Sequence, residues 1–539
     1  MSTERGSEDR GQGWGFEARR GAASGVLGLA GHGSTAYGYI AVAVSTVLIC
    51  APFVRHIGML GDEGLLLHGA QRMLLGEVVY RDFFEMLPPL GFAATAAWMA
   101  VVGDSLVAMR AMAIAAIVLI ALLSFHACRS LTHKDGWSAL VVLAWVLASQ
   151  GVWTIVNHHW FTTAYSMGAL VALLGVLQGR VSPLPGALVA GICVGAAGMT
   201  TSARGAAVAS AAALILLTSP AIPRRALWSF AAGMALIPAL LALWLGWQGA
   251  LDDGLADFVL FAGRHYSAIQ WVPFGAGAST RSLIMTPLFP LTVLLAAAAT
   301  LLERGGPWRE PGFRAAAWFA LTGWLTAYPR PDIVHIGFTL PLALPLLASA
   351  LDKIHRRISS PWRWLVPALV TVAMVPSALA ALRQTLRMPA QLTIETERGR
   401  IEVASYWSTN GQNLRDLVRA VQRAPREDGF FFYPFDPMLP YLTGRRHVAK
   451  LDILMPAYTT AEQYREVCNT VLERARWVVI DKPWRDPEYL KQVFPAMPDP
   501  SPAAKQALET ALATAYTVEL DNPRFALLHR KEGAAGACP

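Results

Sequence analysis

From Gly38 to Leu382 the chain is a succession of apolar runs separated by short polar or basic loops. Runs of about 20 residues cross the hydrocarbon core of a bilayer as single helices, so the pattern predicts a polytopic α-helical membrane protein. The candidate spans are roughly 38–57, 108–126, 137–156, 160–178, 185–200, 206–219, 226–246, 283–301, 315–328, 336–350 and 364–383, about eleven transmembrane helices in all. Pro89–Gly103 is apolar but short, with Pro at its start and Gly103-Asp104 at its end, and reads as a helix lying at the outer interface. After about Arg383 the runs stop. Gly429–Tyr433 and Trp477–Asp481 have the look of short buried strands, and Ala461–Arg474 has helical periodicity. Residues 384–539 therefore read as a small soluble α/β domain. Residues 1–37 are rich in Gly, Ser, Arg and Glu, lack a cleavable apolar signal, and read as a disordered cytoplasmic tail.

Composition agrees with the pattern. The chain is 54% hydrophobic and 15% charged, with a mean hydropathy of +0.40, against about a quarter charged in soluble domains. A net charge of +8 and a pI near 9.3 would suit a nucleic-acid binder, but the basic residues are scattered through the loops between spans, so no nucleic-acid partner is implied. With the N-terminus inside, the inner loops carry Arg129 and Lys134, Arg180, Arg224 and Arg225, Arg304, Arg309 and Arg314, and then Lys353, Arg356, Arg357 and Arg363. Every inner loop is then basic, as the positive-inside rule expects. An odd number of spans puts the C-terminal domain outside. Five cysteines (Cys50, Cys128, Cys193, Cys468 and Cys538) form no metal-ligand spacing, and only Cys468 and Cys538 fall where they could bridge in the soluble part.

This topology gathers the unusual polar residues on the outer face. They are Asp62-Glu63, Asp82 and Glu85, Asn157-His158-His159-Trp160, Thr200–Arg204, Asp252-Asp253, Arg264-His265-Tyr266, and Tyr328–Asp332 with His335. Such a set describes an outward-facing site open to lipid and to water. A transporter would show more polar residues at mid-span or interrupted helices. A polymerase or ligase using a diphosphate-linked oligosaccharide would share the outer loop.

The first outer loop carries a resemblance. Asp62-Glu63, Ala70-x-x-Met73-Leu74-x-Gly76, Tyr80-Arg81-Asp82, Pro88-Pro89-Leu90 and Arg110 look like the corresponding loop, 58–107, of C-type integral-membrane glycosyltransferases. The nearest type is that of the bacterial protein O-mannosyltransferases and aminoarabinose transferases. The resemblance covers about residues 38–350. It implies transfer of a sugar from a polyprenyl-phosphate donor, outside the cytoplasm of the bacterial inner membrane, to a glycan, lipid or protein acceptor. The sequence departs from its relatives where Leu87 and Pro88 stand in place of a Lys or His, and where His158 or His159 stands in place of a second acid.

The resemblance makes Asp62 the base that takes the acceptor proton, with Glu63 second. A leaving phosphate is best held by arginine, whose planar fork makes two parallel bonds. Arg330 ranks first because Pro329 and Pro331 stiffen its loop and Asp332 can orient it. Arg204 and Arg264 follow, each also suited to snorkelling toward headgroups. Tyr80, Arg81, His158 and His159 complete the substrate-binding set. Adjacent histidines point in different directions on a helix, so two metal ligands from that pair are not expected. With His265 and His335 they would form an outer cluster, and a divalent cation is the one cofactor left open. Trp153, Trp160 and Trp271 read as interfacial anchors.

Overall fold

The computed structural model describes residues 33–538, apart from 59–60, 150–153, 267–269, 278–281, 304–305, 360–361, 388–391, 404–407, 498–501 and 534–537. The expectations for residues 1–32, Trp153 and Arg304 lie outside the described residues.

Each of the eleven apolar segments coincides with helical structure. The first nine helices are α1 (Gly33–Cys50), α2 (Asp62–Leu74), α3 (Leu90–Val102), α4 (Leu106–Thr132), α5 (Asp135–Ser149), α6 (His158–Leu177), α7 (Pro183–Gly198), α8 (Ser202–Thr218) and α9 (Arg225–Trp247). Four long helices follow, Ser282–Leu302, Pro311–Leu325, Leu344–Arg357 and Leu365–Arg387. Among the described residues, length and apolarity mark six spans long enough to cross a bilayer, or seven when Ile333–Leu342 and Leu344–Arg357 are joined across their 66° bend. Eleven full crossings are therefore more than length alone supports. Helices such as α5, with 15 residues, reach only about 22 Å at 1.5 Å per residue, against a core of about 30 Å. The bend is explained by Pro341 and Pro345, which remove backbone donors at the break.

The long helices are apolar around their circumference, so packing is set by shape. Helix α6 packs against α4 and α7, and α7 lies closest of all to α9. Gly191 and Gly195, four apart on α7, permit this approach: a Cβ on Gly191 would stand 2.1 Å from the Phe230 carbonyl oxygen of α9. The far side of α9 leaves Trp228, Leu243 and Trp247 exposed, and Leu369 and Val372 are exposed on Leu365–Arg387. Apolar surface of this extent belongs against lipid.

After Arg387 the chain forms two small sheets. One has the order β1-β3-β2, from His56–Ile57, Gly399–Val403 and Thr393–Thr396. The other has the order β4-β5-β7-β6, from Phe430–Tyr433, Trp477–Asp481, Phe525–Arg530 and Tyr516–Asp521. Strands β4 and β5 are parallel and the other neighbours in that sheet are antiparallel. The apolar runs at 430–433 and 477–481 and the helix Ala461–Arg474 stand where the sequence puts them, and the β2–β3 and β6–β7 hairpins add to them, with Tyr516–Asp521 alternating apolar and polar residues. Cys468 and Cys538 form a disulfide.

The composition boundary near Arg383 is crossed by structure at several points. Strand β1, just after α1, pairs in parallel with β3, His56 opposite Glu402. Leu66, Leu67, Ala70 and Phe92 of the first loop share one apolar core with Leu414, Phe430, Met438 and Leu439. A Cβ on Gly64 would come within 2.2 Å of the Met438 backbone nitrogen, so α2 lies almost backbone to backbone against the helix Met438–Thr443. Polar groups reinforce the contact. His68 Nδ1 lies 2.9 Å from Asp452 Oδ2, and His447 Nε2 lies 3.5 Å from Asp452 Oδ1, all buried.

His447 is held as one neutral tautomer. Its Nδ1 accepts from Phe432 N at 3.3 Å while Nε2 donates to Leu451 O at 3.1 Å. Burial lowers its pKa to about 4, with Asp452 opposing that shift and His68 and Arg72 adding to it. The unfolded chain therefore takes up a proton below pH 6.5 that the folded chain refuses until about pH 4. Stability from this residue is full above pH 6.5 and falls toward pH 4, by on the order of 3 kcal/mol. Thermal denaturation of the detergent-solubilised protein between pH 7.5 and 4.5 should show this loss, and His447→Gln should flatten it. An equal acid slope in both proteins would remove His447 as its source.

Candidate active site

The first turn of α2 carries two consecutive acids. Neighbouring residues on a helix point about 100° apart, and here they face opposite environments. Glu63 turns inward and is 3% exposed. Its carboxylate takes a two-pronged bond from Arg110 of α4, Nε to Oε1 at 2.9 Å and Nη2 to Oε2 at 2.6 Å, and accepts Val156 N at 3.0 Å. Arg110 Nη1 donates in turn to the Phe53 and His56 carbonyls at 3.0 and 2.6 Å. With both oxygens engaged, Glu63 does not reach the cavity, contrary to its placement beside Asp62 as a second catalytic acid.

Asp62 points into a cavity of about 230 Å³ between the helices and the C-terminal segment. Its exposed surface lines that cavity. Among the described residues it makes no hydrogen bond or ion pair. Burial raises its pKa above the usual carboxylate value, against the opposing pull of His335 and Arg330 and with a further push from Asp332.

Arg330 lines the same cavity and is held from several sides. Its Nε donates to Asp332 Oδ2 at 2.9 Å, Nη2 to the Val493 carbonyl at 2.9 Å, and Nη1 reaches Gln270 Oε1 at 3.5 Å. The guanidinium lies 5.0 Å from the centre of the Phe494 ring. Each terminal nitrogen keeps a second N–H for a ligand. Asp332 caps the helix Ile333–Thr339, and its Oδ1 accepts from Val334 N and His335 N at 3.0 and 2.9 Å and lies 2.8 Å from His335 Nδ1. Burial would raise the Asp332 carboxyl, but the His335 hydrogen bond and the charges of His335 and Arg330 outweigh it and hold the group below its ordinary value. Asp332 is thus an ionised clamp between Arg330 and His335 and not a direct ligand in the cavity wall.

His158 and His159 open α6 behind the cap Asn157, whose Oδ1 accepts His159 N at 2.8 Å. Both line the cavity, and their ring centres are 4.1 Å apart. His159 also lies 5.0 Å from the His335 ring. The His158 Nε2 and His159 Nδ1 atoms are buried without a hydrogen-bond partner. Among the described residues no group of three His, Cys, Asp or Glu side chains is placed to hold a metal ion.

Four predicted substrate-binding residues lie off the wall. Arg204 is buried behind the histidines, with Nη1 3.5 Å from the His159 carbonyl and 3.4 Å from Thr163 Oγ1. Arg264 is exposed on the π-helical turn Leu255–Tyr266. Arg81 is bonded to Asp82 and to the Gln248 carbonyl, the latter at 2.8 Å. Tyr80 is fully buried and donates to Leu87 O at 2.7 Å, which supports the cavity wall from behind. These side chains are engaged by protein partners or turned outward, and a loop polar in sequence does not reveal which way each points.

Other wall residues were not among the predicted binding residues, although Glu85 was one of the outer-face acids. Glu85 is 2% exposed, and its Oε1 has no partner. Burial, with Asp452 and Asp257 nearby and Arg72 opposing, pushes its carboxyl well above the usual range. Gln270, Tyr458, Trp484, Tyr489 and Arg524 come from distant segments. Of these, Trp484 stood in plain view in the polar turn Lys482-Pro483-Trp484-Arg485 that follows β5, a loop position suited to binding.

No known family's sequence pattern matches the chain, and no curated protein does. Solved structures do. ArnT from Cupriavidus metallidurans bound to undecaprenyl phosphate superposes with a TM-score of 0.54 at 13% identity, over 93% of this chain and 98% of that one. This is the C-type glycosyltransferase fold. The apo form of the same ArnT gives a TM-score of 0.54 at 13% identity, over 92% of this chain and 98% of that one. Coverage of that extent runs past Arg387, so the C-type match takes in the C-terminal sheets as well as the helices.

The two acids predict opposite thermal behaviour. Glu63→Gln strands the buried Arg110 charge and should lower stability by about 3–5 kcal/mol. Asp62→Asn removes a carboxylate whose ionised form the fold disfavours, so its melting temperature should equal or exceed that of the wild type. Thermal-shift measurements at pH 7.5 check the pair, and a large destabilisation by Asp62→Asn would make that residue structural.

Proposed function

We propose that this chain transfers a sugar from a polyprenyl-phosphate carrier to an acceptor hydroxyl, with Asp62 as general base. The observation that carries the reading is the unpaired Asp62 carboxylate facing the Arg330–Asp332–His335 group across one cavity. The C-type fold and the polyprenyl phosphate bound to the neighbouring ArnT support the donor class.

The chemistry follows from the wall. Asp62 takes the acceptor O–H proton as the acceptor oxygen bonds to the anomeric carbon. The bond from that carbon to the phosphate oxygen breaks, and its electron pair leaves on the polyprenyl phosphate. Attack from the face opposite the phosphate inverts the anomeric centre. Arg330, already oriented by Asp332 and Val493, meets the charge that grows on the leaving phosphate. His158 and His159 present ring nitrogens beside it.

We place the cavity and the C-terminal segment outside the cytoplasm, in a bacterial plasma membrane. Helix α6 opens at the cavity and ends beside Arg180, where Gln178 donates to Ser130 O at 2.9 Å. Arg129, Lys134, Lys353 and Arg356 gather at that far end, as in the 2.8 Å pair of Lys134 with Asp352. The Cys468–Cys538 disulfide belongs in an oxidising compartment. In intact cells, a membrane-impermeant maleimide should label Cys538, the more exposed of the two, only after reduction. Labelling that requires membrane permeabilisation would turn the topology over.

Purified protein should transfer sugar from at least one of a panel of radiolabelled polyprenyl-phosphate monosaccharides and release polyprenyl phosphate. Asp62→Asn should reduce the rate by about 10²–10⁴-fold. The base works only when deprotonated, so kcat/KM should rise with pH through an acid-side pKa above about 3.9, the ordinary aspartate value. Equal turnover by Asp62→Asn would remove this residue as the base, and activity confined to diphosphate-linked donors would reassign the donor class.

A further inference from the structure

The cavity has two walls of different origin. The helical part supplies the ionic wall: Asp62, His158, His159, Arg330 and His335. The C-terminal segment supplies an aromatic wall: Phe435, Tyr458, Trp484, Tyr489 and Phe494. Phe435 and Trp484 meet edge to face with ring centres 5.3 Å apart, and Trp484 meets Tyr489 in the same way at 5.3 Å. Edge-to-face contact leaves the flat face of one ring in each pair open to a ligand.

This wall offers hydrogen bonds as well as flat surface. Trp484 Nε1 and the Tyr489 hydroxyl make no hydrogen bond among the described residues, although both line the cavity. Glu85 stands at the junction of the two walls, buried, with Oε1 unpartnered. Polar groups that line a cavity and find no protein partner describe the ligand that would satisfy them. The set here is one N–H, one phenol and one carboxyl beside apolar ring faces. A ligand with an apolar C–H face and a rim of hydroxyls matches it, and that is a sugar ring.

Other occupants fit less well. Among the described residues the one cation on this wall is Arg524, which is held by Asp481, its Nη2 lying 2.6 Å from Oδ2, with the buried Asp436 carboxyl close behind. The wall therefore offers no free positive charge to a phosphorylated or acidic acceptor. A peptide bound by strand addition would want an open strand edge. The residues here come instead from the turns after β4 and β5, Phe435 and Trp484.

We propose that the aromatic wall is a saccharide subsite that binds the acceptor, so that the acceptor hydroxyl belongs to a neutral glycan. This rests on the glycosyltransferase reading for the word acceptor, while saccharide binding itself does not. A lipid-borne donor reaches the ionic wall from the bilayer, which leaves the C-terminal wall to the partner arriving from water. Trp484 supplies the stacking face, and Tyr489 and Glu85 bond the ring hydroxyls.

Saturation-transfer NMR on the full chain in detergent tests binding without donor or turnover. The probes are the methyl glycosides of mannose, glucose, galactose and arabinofuranose. The expected result is transfer to the ring C–H protons of at least one glycoside, at least fivefold weaker in Trp484→Ala and largely restored in Trp484→Phe. Trp228→Ala, on the outer face of α9, should leave the signal unchanged. Glu85→Ala should weaken it without altering the melting profile of the protein. No saturation with any of the four probes, or equal saturation in Trp484→Ala, overturns the subsite. Efficient transfer to a non-carbohydrate acceptor that is indifferent to Trp484→Ala would also overturn it, while leaving the glycosyltransferase reading intact. Saccharide binding without any donor turnover would do the reverse.

Discussion

The buried pair of Glu63 with Arg110 sets the geometry on which the rest of the cavity depends. One guanidinium ties α2 to α4, to the backbone at Phe53 and His56, and through Glu63 to Val156 just ahead of α6. Four separate stretches of chain therefore share a single charge pair, and removing either partner would leave the other buried and uncompensated. The consequence for chemistry is rotational. With Glu63 pinned inward, the helical step of about 100° turns the preceding residue toward the opposite side. Asp62 faces the cavity because Glu63 cannot.

A second constraint acts from above. Gly64, one residue further along, admits the backbone of Met438 to van der Waals range of α2, and His68 continues the contact through Asp452. Arg330 takes part as well, since two of its contacts, the Val493 carbonyl and the Phe494 ring, belong to the C-terminal segment. The position of the proposed phosphate-binding arginine thus depends on docking of the C-terminal sheets. That segment is half of the cavity wall, and a change in its docking would move ionic and aromatic groups together.

Helices were legible because periodic, lipid-compatible apolarity is a strong one-dimensional signal, and every predicted segment from 38 to 383 lies on one. Their number as full crossings was less so, because a helix of 15 residues and a span broken by Pro341 and Pro345 have the same composition as a complete span. Asp62, Arg330, His158 and His159 could be picked out because polar residues interrupting apolar sequence stand out. Direction could not: Glu63, Arg204, Tyr80 and Arg81 are as conspicuous as Asp62, yet their partners in the fold turn them from the wall. The aromatic wall was hidden for the opposite reason. Trp484, Tyr489 and Phe494 sit in a segment of ordinary soluble composition, where an aromatic residue is unremarked until the fold brings it over α2.

Satisfaction of polar groups divides this region more sharply than conspicuousness does. Glu63, Asp332 and Asp452 are each surrounded by donors, and each holds pieces of structure together. Asp62 and Glu85 have no such donors, and burial raises the pKa of both. Glu85 is the sharper case, because an unpaired buried carboxyl is unfavourable in either protonation form, whereas Asp62 is open to the cavity. One sits on the ionic wall and the other where the two walls meet. That placement fits a cavity shaped for two ligands, a phosphate-bearing one that needs Arg330 and a hydroxylated one that gives its proton to Asp62.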